Sequence, residues 1–151
     1  MRGRTARSGL LALLAALLLA AGCAPQLPGA PQTPPVQPPL EGTAWVLQAL
    51  GDPDSLKPAL VDKKVTLTFT SRAEVSGNAG CNSYGGSYEA GSDGTLEFAD
   101  LYHTEMYCIE PGVMEQEQLF LDLLNTAERY EVVDGMLHLS GGGRLLVFSR
   151  A

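Results

Sequence analysis

Ser76–Tyr88 reads SGNAGCNSYGGSY, with Cys81 set among four glycines, two asparagines and two tyrosines. The role of this cysteine decides how the chain folds and works. Four readings compete: a nucleophile, a metal ligand, part of an anion-cradling loop, or half of a disulfide. A nucleophilic thiolate needs a basic partner and an orienting group. The candidates are His103 and His138, with Glu105 or Asp100 behind, but both histidines lie in strand-like segments, LYHTEM and MLHLS. A metal site built from Cys81, His103, Cys108 and His138 lacks the close ligand pairs usual in structural zinc sites. Gly77, Gly80, Gly85 and Gly86 recur as in a phosphate loop, yet no Gly-Lys-Ser/Thr follows. Glycines beside strands more often mark bends and bulges.

The ends of the chain narrow these choices. Arg2, Arg4 and Arg7 precede Leu10–Ala21, twelve residues of leucine and alanine only. A stable bilayer span needs about 20 apolar residues, so this run has the length of a signal-peptide core. It ends Leu19-Ala20-Ala21-Gly22-Cys23, which resembles a bacterial lipobox, with Ala20 where the commonest pattern has leucine. That resemblance implies cleavage of residues 1–22 and lipidation of Cys23. Lipoprotein sorting then favours the outer membrane, because Ala24 follows Cys23 rather than aspartate. Residues 24–40, APQLPGAPQTPPVQPPL, hold seven prolines among seventeen residues. This composition excludes helix and sheet and predicts an extended tether from 23 to 40.

With Cys23 lipidated, Cys81 and Cys108 are the two remaining thiols in an exported chain. An even count in an oxidising compartment favours their pairing, with thiol chemistry at Cys81 as the alternative. The domain, residues 41–151, carries 7 of the 10 Lys and Arg and all 17 Asp and Glu, a balance of −10. Such a domain is repelled by nucleic acid and by anionic headgroups, and no nucleic-acid partner is expected.

Short β segments fill most of the domain. Strands are predicted over 43–50, 65–70, 74–77, 86–90, 95–98, 101–107, 129–133, 136–140 and 144–149, with Asp134-Gly135 as a two-residue hairpin turn. One helix is predicted over Pro111–Asn125, with Pro111 in its first turn and Val113, Phe120, Leu121 and Leu124 on its packing face. Glu110, Glu115 and Glu117 are read as favourable to the helix dipole. The expected class is mainly β with one helix (α+β), a small antiparallel barrel-like sheet of about eight strands capped by that helix. Tyr84, Tyr88, Tyr102 and Tyr107 cluster around the cysteines and are read as barrel wall. The alternative is a pocket or exposed patch for a ligand or partner.

Gly80-Cys81-Asn82, Gly86, Tyr88 and Thr104-Glu105-Met106-Tyr107-Cys108 together resemble the META domain (HslJ-like) family. Gly42-Thr43-Ala44-Trp45, Met114-Glu115-Gln116-Glu117 and Leu137-His138-Leu139 add to the likeness, which covers nearly all of residues 40–150. Glu105 and Tyr107 stand where the family more often has a basic and a small residue. The resemblance implies a compact β-barrel-like fold with a helix, paired motif cysteines, and an envelope setting linked to stress tolerance, secretion or motility. It brings no catalytic residue, cofactor or metal. The expectation is a monomeric, non-enzymatic, lipid-anchored envelope domain that binds a protein or small apolar ligand. The alternatives are a thiol redox protein or enzyme using Cys81, and a purely structural domain.

Overall fold

The computed structural model describes residues 35–151. The expected signal peptide, the expected lipidation site Cys23 and the expected tether as far as Pro34 lie outside the described residues. The chain forms β1 (Ala44–Gly51), β2 (Lys57–Pro58), β3 (Thr66–Phe69), β4 (Glu74–Asn78), β5 (Ser83–Ala90), β6 (Leu96–His103), α1 (Val113–Asn125), β7 (Arg129–Val133), β8 (Met136–Gly141) and β9 (Arg144–Arg150). All pairings are antiparallel, in the order β6-β5-β4-β3-β1-β9-β8-β7, with the short β2 added beside β1. The sheet curls into a half-barrel whose outer strands meet at one point. There Leu96 N–H donates to the Glu128 carbonyl at 2.9 Å and Tyr130 N–H to the Gly94 carbonyl at 2.8 Å. This meeting pairs part of two edges that would otherwise be open to other chains.

Alternation puts Leu67, Phe69, Val75, Leu137, Leu139, Leu146 and Phe148 on the inner face, all nearly inaccessible. Helix α1 fills the space they enclose. Phe120 packs edge-on against Tyr84 at 5.4 Å and Phe148 at 6.4 Å between ring centroids. The buried helical positions are Val113, Gln116, Glu117, Phe120, Leu123 and Leu124. They follow i, i+3, i+4, i+7, a single stripe. The apolar residues alone suggest Leu121 for that stripe, but Leu121 is only half-buried; Leu123 takes the place, and two polar residues share the face.

Besides the unpredicted β2 and strand ends that shift by one residue, the elements differ from expectation in four places. Pro111 precedes the helix, because Gly112 adopts a left-handed φ of 81° as N-cap and the helical run starts at Val113. The segments expected as 95–98 and 101–107 form one strand, β6, which ends at His103. An extra residue at Asp100, with φ 51°, bulges β6 between its pairings with Gly85 and Ser87. The bulge breaks the two-residue alternation and so looks like a strand end in sequence. Strand β5 begins at Ser83 rather than at Gly86, so Gly85 lies inside it and Gly86 is interior rather than its first residue. Finally, Gln37–Leu40 belong to the domain rather than to the tether. Leu40 is buried in the core, Gln37 N–H donates to the Ser92 carbonyl at 2.8 Å, and Val132 N–H donates to Gln37 Oε1 at 2.9 Å.

The β7–β8 hairpin turns through Asp134 (φ 51°) and Gly135 (φ 78°), as the sequence predicts for a type I′ turn. A Cβ on Gly135 would meet nothing within 4 Å. Gly135→Ala therefore tests backbone strain alone. It should cost about 1–2 kcal/mol, read as a shift of the urea midpoint with unchanged m-value.

Candidate functional site

Residues of the opening stretch converge with the loop after β6 and with α1. Cys81 and Cys108 are joined in a disulfide, with their Cα atoms 5.9 Å apart. This geometry lies inside the usual range for a cystine. The two sulfurs are thus bonded to each other, which removes Cys81 as a free thiolate and breaks the four-ligand set with His103 and His138. His103 ends β6 with its ring Nδ1 2.8 Å from the Thr104 carbonyl. His138 lies on β8 opposite Glu131 and Val147. Among the described residues, no group of three or more His, Cys, Asp or Glu is placed to hold a metal ion.

Asn82 sits beside the disulfide, 2 % exposed, with every polar atom of its side chain engaged. Its Oδ1 accepts from Thr104 Oγ1 and from Met106 N–H, both at 2.7 Å. Its Nδ2 donates to the Met106 carbonyl at 2.9 Å and to Glu117 Oε1 at 2.6 Å. Glu117 Oε2 accepts the backbone N–H groups of Cys81 and Asn82, at 3.0 and 2.7 Å. A buried carboxylate is tolerated only when its oxygens are met by donors, and here three N–H groups meet them. The sequence reads Glu117 only as a charge favourable to the helix dipole; the structure buries it and makes it the acceptor of this junction. It stands four residues after Val113 and three before Phe120, on the inward stripe. That spacing is the signal in the sequence that could have found it. Gln116 escapes sequence reasoning in the same way: its Oε1 accepts the Leu60 N–H at 2.7 Å and fixes the loop before β3.

The glycines of the stretch are spent on packing. A Cβ on Gly77 would lie 1.9 Å from the Thr66 carbonyl oxygen, and one on Gly85 would lie 2.6 Å from the Tyr102 hydroxyl. At these two positions the chain packs directly against the glycine backbone.

The four tyrosines do not form one surface. Tyr84 and Tyr88 point into the barrel and donate their hydroxyls to the Thr66 and Thr70 carbonyls, at 2.8 and 3.3 Å. Tyr102 and Tyr107 are exposed. Burial lifts the Tyr84 phenol far above its ordinary value of 10.0. The folded state therefore keeps a proton that the unfolded chain releases. Its contribution is complete below about pH 10 and declines as pH rises further. Tyr84→Phe should flatten the alkaline limb of a stability–pH curve from urea midpoints, while costing about 1 kcal/mol at neutral pH for the lost hydrogen bond. An unchanged alkaline limb would refute this assignment.

Clefts lie elsewhere on the domain. One of about 280 Å³ lies beside Gln37, Arg129 and His138, and another of about 290 Å³ runs along Leu40, Tyr88 and Tyr130. No helix among the described residues is long and apolar enough to cross a membrane.

The geometry joins the Gly-Cys-Asn and Thr-x-Met-x-Cys motifs and the acidic helix as one interlocked unit. The META domain family model matches residues 38–151. The chain belongs to the META domain family. Its fold is similar to that of a protein from Burkholderia xenovorans solved by NMR, at 29 % identity and a TM-score of 0.64, covering 83 % of this chain and 99 % of that one. A second NMR structure is similar at 23 % identity and a TM-score of 0.57, covering 71 % and 87 % of the two chains, which speaks to the META domain's fold alone. No curated protein matches the chain.

Proposed function

We propose that this META domain is a lipid-anchored cell-envelope module that acts by binding a protein or small apolar ligand, as an accessory factor in stress response or secretion, and carries out no catalysis. The observation that carries the reading is the use of the fingerprint residues. Cys81, Asn82, Thr104, Cys108 and Glu117 are all bonded to one another or to backbone around one loop junction. Residues committed to holding a junction leave function to the surface it supports. The lipobox-like Leu19–Cys23 and the proline-rich tether support the envelope setting, with Cys23 as the lipidated residue and the outer membrane as its site. Anchoring by two or more acyl chains is stable where one is marginal.

Two measurements test this. In cell fractionation the full chain is expected with the membranes and Cys23→Ser in the soluble fraction. Recovery of both in the soluble fraction would remove the anchor. In the second, the native chain is alkylated before reduction, and neither Cys81 nor Cys108 should label. Rapid labelling of Cys81 would replace the binding module with a thiol enzyme or redox protein.

A further inference from the structure

The loops at the Cys108 end of the half-barrel carry an uneven share of exposed apolar side chains. Tyr107 and Ile109 are 80 % and 88 % exposed, on either side of Cys108, and Met106 and Tyr102 are exposed beside them. Val61 is 85 % exposed on the loop before β3, with Leu60 next to it. The two loops are tied together. Lys63 Nζ lies 2.7 Å from Glu110 Oε1, the Leu60 amide is held by Gln116 on α1, and a Cβ on Gly112 would lie 3.7 Å from the Leu60 side chain. The mounting is fixed: Cys108 by the disulfide, and both backbone groups of Met106 by Asn82. An apolar patch held in place from below has already met the ordering cost that binding would otherwise carry.

Charge indicates what covers it. Asp62, Glu105, Glu110 and Glu115 lie on the same loops and the first helical turn, against Lys63, which Glu110 holds, and Lys64. The balance of −10 over residues 41–151 opposes a second copy of the chain and an anionic lipid surface. Position agrees. The described chain enters the domain at Gln37, bonded to Ser92 just before β6, whereas the patch lies beyond His103 at the other end of β6. Eight strand residues separate the two by about 25 Å.

We propose that this face docks a cationic amphipathic segment of another protein, its apolar side chains against Val61, Tyr107 and Ile109 and its lysines or arginines toward Asp62, Glu105 and Glu115. The proposal rests on the binding-module reading and names its face and the chemistry of its partner. The test titrates the full chain, in detergent, with a short labelled amphipathic helix of leucine and lysine, and with the same helix carrying glutamate for lysine. The Leu/Lys helix should bind saturably, and more weakly as salt is raised. Its affinity should fall at least about tenfold for Val61→Ser/Tyr107→Ser/Ile109→Ser. The Leu/Glu helix should not bind. Those three residues are exposed, so thermal unfolding of the variant should match the parent and exclude misfolding. Equal binding by the variant, equal binding of the Leu/Glu helix, no binding of either, self-association through this face, or binding to phosphatidylglycerol vesicles that Cys23→Ser retains and the triple variant loses would each overturn the proposal. Binding that persists in the triple variant and protects another surface from hydrogen exchange would remove this face while leaving the binding-module reading intact.

Discussion

Glu117→Ala should destabilise the domain by about 3–5 kcal/mol, the largest effect expected of any single substitution at the junction. The carboxylate accepts from Cys81 N–H, Asn82 N–H and Asn82 Nδ2; truncation leaves the two backbone donors buried without a partner and Nδ2 with only its bond to the Met106 carbonyl. Each orphaned donor costs about 1–3 kcal/mol, and water entering the vacated space recovers part of the sum. A domain of this size is stable by about 5–15 kcal/mol in total, so the variant should lie near the edge of folding at physiological temperature. Glu117→Gln is the informative companion. It keeps the volume and one acceptor oxygen but places an NH₂ group where an oxygen accepted, facing the donors of Cys81 or Asn82. It should therefore recover little of the loss. A Glu117→Gln protein with parental stability would show that the carboxylate is replaceable by any polar group and would sink the argument. Urea unfolding followed by tryptophan fluorescence can read both, because Trp45 is buried in the core.

Cys81→Ala/Cys108→Ala should cost about 3–4 kcal/mol. The bridge closes a loop with a sequence separation of 27, and in the chain-entropy account its loss frees that loop in the unfolded state. The effect on the native state should be local. Asn82 still binds Met106 through both Oδ1 and Nδ2, and Glu117 still binds Asn82, so residues 104–106 keep their attachment. Hydrogen exchange should show faster opening of residues 107–112 than of 82 or 104–106 in the double variant. Uniform loss of protection across the whole junction would mean that the disulfide, not the Asn82–Glu117 network, holds it. Because the two share the same loop, their effects should not add, and a double-mutant cycle with Glu117→Ala should return a coupling energy of about 0.5–3 kcal/mol.

Much of the architecture is legible in local patterns of the sequence. Valine, leucine and phenylalanine alternate with threonine in VTLTF, Asp134-Gly135 marks its hairpin, and the change of period after Pro111 marks the one helix. These signals are set by side-chain alternation and turn geometry within a few residues. The errors fall where local pattern and tertiary context disagree. The bulge at Asp100 hides one strand as two, since the inserted residue resets the alternation. Leu40 looks like the end of a proline-rich tether until the core claims it.

A mainly β domain with one late helix, a surplus of acid, and two cysteines left to pair all follow from the residues in order along the chain. The roles of Glu117 and the tyrosines follow from the packed fold instead. A carboxylate on an inward stripe is unfavourable unless three donors arrive from a loop thirty-five residues away, and no local pattern reports that they do. Tyr84 and Tyr107 look alike in sequence, but one ring lies in the core on β5, while the other stands exposed on the loop beside the disulfide. Such long-range placements depend on closure of the whole half-barrel, which arises from the sum of strand twists rather than from any one segment.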